Sequence, residues 1–256
     1  MMSSALALPP TPSLDGSALF LDVDGTLVAI EREPEAVVVS EALRTLLGRL
    51  IRATDGALAL VSGRSIDQLD RLFAPIMVSA SGLHGLERRL LPEGIARSLE
   101  ANHALDAARA ELRRFAGSHR GTLFEDKGLT LALHYRMAAE HRETARALVQ
   151  GLVDAAPDAL VLLEGKMVFE LKPPGFDKGR AIVAFMEQPP FQGRCPIFAG
   201  DDVTDEAGFK TIKEMQGVAV KVGADERPTE AGYGLPSVEA MLDWLDRLAD
   251  GAAERP

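Results

Sequence analysis

An α/β fold carried by a parallel sheet, with an α+β segment inserted into it, is what this sequence predicts, and three observations predict it. Short apolar runs alternate with helix-period segments at the start of the chain. The same alternation resumes near its end. Between the two the order changes to helix, two strands, helix, two strands, so the parallel core is split in sequence.

In the first part, Ala18 to Val23 reads as a buried strand, apolar except for the acid Asp22. Ser40 then caps a helix with Leu43, Leu46, Leu47, Leu50 and Ile51 on one face. Ala57 to Val61 gives a second strand, Ser65 caps a helix carrying Ile66, Leu69, Leu72 and Phe73, and Met77 to Ala80 reads as a third strand. After the insertion, a helix around Ala181, Ile182, Phe185 and Met186 leads to the strand Pro196 to Ala199. Gly217 to Val222 is another strand, and a last helix starts at Ser237 with Leu242, Leu245 and Leu248 on one side.

The insertion, roughly Leu99 to Pro174, has tight connections near Lys127-Gly128 and Gly165-Lys166 that suit hairpins. Leu129, Leu131, Leu133 and Tyr135 alternate with Thr130, Ala132, His134 and Arg136; Met167, Phe169 and Leu171 alternate with Val168, Glu170 and Lys172. Helices covering only the apolar face of an antiparallel sheet would leave Glu125, Lys127, Arg136, Lys166 and Glu170 sharing the other. The expected organisation is a flexible tail at 1–16, a core at 17–98 and 175–256, and a cap at 99–174. Hinges are expected near Leu99 and at Pro173-Pro174.

Hydrophobic residues make up 46% and charged residues 26%, an ordinary globular balance that excludes an extended disordered chain. A formal charge of -10 repels nucleic acid and anionic lipid, so an anionic substrate must be met by local positive charge and metal. Cys195 is the single cysteine, which excludes an intrachain disulfide and a cysteine-based zinc cluster and fits a reducing compartment, with the cytoplasm expected. The start of the chain, with no basic residue before Ser17 and prolines at Pro9, Pro10 and Pro12, resembles no secretory signal or membrane span. A monomer without nucleic-acid or membrane partners is the expected state.

The chemistry is concentrated at strand ends. Leu19-Phe20-Leu21-Asp22-Val23-Asp24-Gly25-Thr26 ends an apolar strand in two carboxylates, whose repulsion is offset if a divalent cation sits between them and a substrate phosphate. Gly200-Asp201-Asp202-Val203-Thr204-Asp205-Glu206 adds carboxylates after a second apolar strand, and together they suggest an oxygen-ligand magnesium site. Ser62-Gly63-Arg64 follows a third strand, where a hydroxyl and backbone N–H groups could hold phosphate oxygens. Lys178, opening the helix after the insertion, could bring an ammonium to the same phosphate; taken singly it is a solvated lysine.

Asp22-Val23-Asp24-Gly25-Thr26, Ser62, Lys178 and Gly200-Asp201-Asp202 resemble the four motifs of haloacid-dehalogenase phosphatases, in that family's order. The resemblance implies a Rossmann-like core, Asp22 as nucleophile and Asp24 as general acid and base. It also implies Ser62, Gly63 and Lys178 on the phosphate and magnesium held by Asp22, Asp201 and the backbone carbonyl of Asp24. Asp202 and Asp205 would steady those ligands from behind. Gly82-Leu83-His84-Gly85-Leu86-Glu87, Glu125-Asp126-Lys127, His134-Tyr135-Arg136, Gly165-Lys166 and Glu170 are similar to trehalose-phosphate phosphatases, over about Leu19 to Val222. By that similarity Glu125, Lys127, Arg136, Lys166 and Glu170 contact the sugar hydroxyls of trehalose 6-phosphate. His84 and His134 carry no assigned catalytic role. The core motifs alone also suit sucrose phosphate or mannosyl-phosphoglycerate. A non-catalytic sugar-phosphate sensor or phospho-accepting domain could be built on the same sheet, although it has no need of an acid at Asp24.

Overall fold

The computed structural model describes residues 6–31, 36–97, 102–224 and 227–253. They form two compact units: one from residues up to Arg97 together with those from Asp177 onward, the other from the stretch between, ending at Phe176.

The first unit opens with β1 (Ser17–Leu21), α1 (Glu41–Ala53), β2 (Leu58–Val61), α2 (Ile66–Phe73), β3 (Ser79–Gly82), β4 (Glu87–Arg89) and β5 (Ile95–Arg97). The second unit follows as α3 (His103–Ser118), β6 (Leu123–Asp126), β7 (Leu131–His134), α4 (Arg142–Ala155), β8 (Val161–Gly165) and β9 (Val168–Lys172). The chain then returns to the first as α5 (Lys178–Met186), β10 (Cys195–Gly200), α6 (Glu206–Glu214), β11 (Val218–Val222), β12 (Tyr233–Leu235) and α7 (Val238–Ala253).

Eight strands form the first unit's sheet in the order β12-β11-β10-β1-β2-β3-β4-β5, parallel as far as β3. β4 and β5 extend it antiparallel. The parallel part is doubly wound, and its order reverses between β1 and β10, where ligands bind at the carboxyl ends of the strands. Strand alternation decides which helices go where. Leu19, Leu21, Leu58, Leu60, Ile197 and Ala199 pack with Leu43, Leu47, Ile66, Phe73, Trp244 and Leu245 of α1, α2 and α7. Ala18, Phe20, Ala59 and Phe198 turn the other way, onto Ile182 and Phe185 of α5 and Phe209 and Ile212 of α6. Both faces are therefore covered, as a sheet of continuous apolar strands requires.

Helix starts follow the sequence signals. Ser40 accepts from the Leu43 amide, and Ser65 forms a reciprocal capping box with Gln68. Asp177 accepts from the Arg180 amide, which fixes Lys178 as the first residue of α5.

The expected flexible tail is corrected for residues 6–16. Leu14 is fully buried in the core, Ala7 bridges Tyr233, and the Trp244 indole donates to the Pro10 carbonyl at 2.9 Å. A buried indole needs an acceptor and finds it in this segment. The third strand also lies two residues later than expected, at Ser79–Gly82, with Met77 exposed. No local pattern in the sequence predicts α6, β4, β5 or β12.

The second unit carries a four-stranded antiparallel sheet, β6-β7-β9-β8. Leu131, Leu133, Tyr135, Phe169 and Leu171 face Leu105, Leu112 and Phe115 of α3 and Ala145 and Val149 of α4. Pairing sets Glu125 opposite Ala132 and Ala132 opposite Glu170, so both glutamates stand on the face away from the helices. The hinge expected near Leu99 lies outside the described residues.

Candidate active site

Asp22, Ser62 and Asp201 directly follow β1, β2 and β10, three neighbouring strands of the doubly wound sheet. The same register that pairs Leu21 with Ala199 and Leu60 brings these three residues together. Asp22 is buried. Its two oxygens accept from the Lys178 ammonium at 2.7 Å and the Thr26 hydroxyl at 3.1 Å.

Lys178 is also buried and reaches Asp205 at 2.6 Å. The other oxygen of Asp205 accepts from the Asp201 and Asp202 amides at 3.0 and 2.9 Å. Asp205 therefore ties the lysine to the turn after β10. Gly25, with φ +91°, lies where a Cβ would come 2.1 Å from an Asp201 carboxylate oxygen, so both its backbone conformation and the close approach require glycine.

Oxygens of Asp22, Asp201 and Asp205 lie within 4.8 Å of one another. Burial pushes the Asp22 carboxyl well above its ordinary value; Lys178 pulls it down, and Asp205 and Asp201 raise it further. Burial alone would lower the Lys178 ammonium, but Asp205 and Asp22 outweigh that and hold it raised. Three carboxylates against one ammonium leave an excess of negative charge on hard oxygen donors, a donor set that fits a small divalent cation.

Asp24 stands apart from this cluster. Its carboxylate is clamped by Arg64, whose Nε and Nη2 each donate at 2.7 Å, one to each oxygen. Of the residues expected at the metal, Asp22 and Asp201 share an acidic cluster with Asp205, while the Asp24 carboxylate lies with Arg64. The sequence assigns Arg64 no role, although an arginine following a loop serine beside an Asp-x-Asp strand is a usable signal.

His84 likewise has no role expected from sequence. Its left-handed backbone, φ 55°, sets the ring over the Ser62 loop, where a Cβ on Gly63 would lie 2.6 Å from Nε2, and its amide donates to the Ser62 carbonyl. The Ser62 hydroxyl accepts from the Arg64 amide at 3.1 Å. Asp202 caps the following turn through the Val203 amide.

In the second unit, Glu170 is buried and accepts from the Thr130 hydroxyl at 2.6 Å, with Lys127 at 3.5 Å. Glu125 meets His134 at 2.9 Å. Arg136 donates to the Lys166 carbonyl at 3.0 Å, so these two stand together beyond the ends of β7 and β8.

A doubly wound sheet with a lysine-bound aspartate at its switch point, a second acid two residues on and an acidic cluster from the next strand defines an enzyme of phosphoryl transfer. A family model described as trehalose-phosphatase matches residues 20–239, and the chain belongs to this family. It is 38% identical to the trehalose-6-phosphate phosphatase of Escherichia coli K12, with 97% of this chain and 92% of that one covered. It is 41% identical to a probable trehalose-phosphate phosphatase of Sinorhizobium fredii, over 92% and 89% of the two chains. The C-terminal domain of a Candida albicans trehalose-6-phosphate phosphatase has a similar fold, with a TM-score of 0.85 at 22% identity, covering 97% of this chain and 99% of that one. The chain is a phosphoric monoester hydrolase that acts on a small sugar phosphate, and its family implies a metal cofactor. No helix among the described residues is long and apolar enough to cross a membrane.

The raised Asp22 carboxyl has a measurable consequence. An acid bound more tightly to its proton in the folded state than in the unfolded one gives stability that is full below its unfolded pKa, about 3.9, and is lost as pH rises through the raised folded value. At neutral pH and without metal, Asp22→Asn is therefore expected to raise the melting temperature of the protein. Magnesium should raise that of the wild type more than that of the variant. Equal melting of both proteins without metal, measured by circular dichroism, would contradict this electrostatic account.

Proposed function

We propose that the chain hydrolyses trehalose 6-phosphate to trehalose and phosphate through a phospho-aspartate on Asp22, with magnesium as its metal. The observation that carries this reading is the Asp22 carboxylate, buried at the end of β1 and oriented through both oxygens by Lys178 and Thr26. Asp22 and Asp201 would hold the ion with the Asp24 carbonyl; when bound, it neutralises charge on the transferring phosphoryl oxygens.

The remaining steps belong to the protein. An Asp22 oxygen attacks phosphorus as the bond to the sugar oxygen breaks, and Asp24 gives that oxygen its proton. Asp24, now a carboxylate, takes a proton from water, the water oxygen attacks phosphorus, and the Asp22–phosphorus bond breaks. The bidentate pair with Arg64 suits Asp24 as the carboxylate that activates water, and one of its two bonds must be released for Asp24 to carry the proton given to the sugar oxygen. Lys178, Ser62 and the Gly63 amide would receive phosphoryl oxygens. Asp205 holds Lys178 at its post, and Asp202 and Asp205 shape the turn behind Asp201.

Sugar hydroxyls would be met by Glu125 and Glu170, with Lys127, Arg136 and Lys166 around them. Carboxylates and cations on one sheet face supply the directed hydrogen bonds that an uncharged, polyhydroxylated disaccharide needs. Glu125→Ala and Glu170→Gln should each lower kcat/KM for trehalose 6-phosphate by roughly ten- to a hundredfold, the loss of charged hydrogen bonds of about 1.5–3 kcal/mol. Hydrolysis of an aryl phosphate, which has no such hydroxyls, should change little. Equal losses on both substrates, or sucrose 6-phosphate turned over as well as trehalose 6-phosphate, would remove the support for this sugar.

A further inference from the structure

The segment Gly82-Leu83-His84-Gly85-Leu86-Glu87 joins β3 to β4 and takes no part in the chemical steps above. Its backbone is costly to hold. Leu83 and His84 are consecutive non-glycine residues at φ 50° and 55°, both in the left-handed region. Such residues persist only where their surroundings over-determine them.

Those surroundings are the loop between β2 and α2. The Leu83 amide donates to the Arg64 carbonyl at 3.0 Å, and the His84 amide to the Ser62 carbonyl at 3.1 Å. One Glu87 oxygen accepts from the Ile66 amide at 2.7 Å, a donor that has no partner within α2, and the other accepts from Arg97 at 2.8 Å. The segment therefore grips the loop at both ends. The buried His84 ring lies against its middle, where a Cβ on Gly63 would come 2.6 Å from Nε2 and 2.8 Å from Cε1. The same turn abuts the start of α5: a Cβ on Gly85 would come 3.2 Å from the carbonyl oxygen of Asp177, the residue before Lys178. One turn thus touches both the Ser62 loop and the helix start that carries Lys178.

We propose that His84 is a positioning residue of the phosphate site, acting through Ser62 and Gly63 and not on the phosphate itself. Its ring fills the space into which the loop would otherwise relax, so the Ser62 hydroxyl and the Gly63 amide stay where phosphoryl oxygens arrive. Donors set in advance meet the bound phosphate and the transition state alike, and their loss shows in KM before kcat. This role rests on the reading of Ser62 and Gly63 as phosphate ligands.

Steady-state kinetics of the magnesium-loaded enzyme on an aryl phosphate, with inorganic phosphate as the competitive inhibitor, test this role. Asparagine also tolerates the left-handed region and lacks the two ring atoms that lie against Gly63. His84→Asn should melt close to the wild type, with KM and the phosphate Ki raised roughly tenfold and kcat changed by less than about twofold. His84→Gln, long enough to reach Gly63 again, should recover most of the loss. Gly63→Ala should raise Ki in the wild type, where the methyl meets the ring, and add little in His84→Asn, where those atoms are gone. KM and Ki unchanged in His84→Asn, whatever happens to kcat or melting, overturns the positioning role. So does a Gly63→Ala penalty of equal size in both backgrounds. A crystal structure of Gly63→Ala needs no His84 variant: a displaced ring together with a raised Ki is expected, and a displaced ring with Ki unchanged overturns the role. Ser62→Ala separates this inference from the reading beneath it. A Ki raised by Ser62→Ala but not by His84→Asn removes His84 alone, whereas a Ki that Ser62→Ala leaves unchanged takes the loop out of phosphate binding and the role of His84 with it.

Discussion

Replacing Asp22 with asparagine is expected to lower kcat by on the order of 10⁴-fold or more, with the protein still folded. The amide keeps the shape of the carboxylate, so packing at the end of β1 is preserved. It is a far poorer nucleophile, and it takes away one anionic ligand from a cluster whose negative charge is the reason a cation would bind. Neither loss can be made good by a neighbour. Asp201 lies against Gly25, and Asp205 is held by Lys178 and two backbone amides. Aryl phosphate and trehalose 6-phosphate should lose activity alike, since both meet the same attacking atom. Turnover within about tenfold of the wild type would mean that another group attacks phosphorus.

Lys178→Met should be the most destabilising single change at the site. The ammonium is buried between Asp22 and Asp205 at 2.7 and 2.6 Å, and removing it leaves three neighbouring carboxylates with no cation in a low-dielectric setting. Breaking a buried pair by deleting one partner costs about 3–5 kcal/mol. Chemical denaturation of the metal-free protein should register that loss, and magnesium should restore part of it by supplying the missing positive charge. Activity should fall as well, because the side chain that orients Asp22 and would meet the phosphate is gone. A metal-free variant as stable as the wild type would show that Lys178 offsets little of the carboxylate repulsion.

What could be read in the sequence was whatever local pattern records. β1 is legible because four apolar residues, Ala18 to Leu21, run into an acid, and α1 and α2 because Ser40 and Ser65 stand where caps belong. The glutamates of the second unit are legible because strand side chains alternate. What was missed depends on partners distant in sequence. β4 reads as a polar loop, since Glu87-Arg88-Arg89 hides two buried charges that are neutralised elsewhere, Glu87 by Arg97 and Arg89 by Asp70. α6 contributes only Phe209 and Ile212 as large apolar anchors, too few to show a helical period. β12 is three residues long and contains a glycine. The clamp of Arg64 on Asp24 joins two strand ends that only the register of the sheet brings together, and the order of residues 6–16 depends on Trp244 near the opposite end of the chain.

The direct measurement of the central claim is to locate the covalent phosphate. With Asp24→Asn and an aryl phosphate, whose leaving group departs without a proton, the first half-reaction should proceed while the second stalls for want of a base to activate water. Acid quenching in the presence of magnesium, followed by peptide mapping, should then find phosphate on Asp22, in amounts approaching one per chain. Phosphate on any other residue, or an Asp24→Asn protein that turns over fully and traps nothing, would contradict the mechanism.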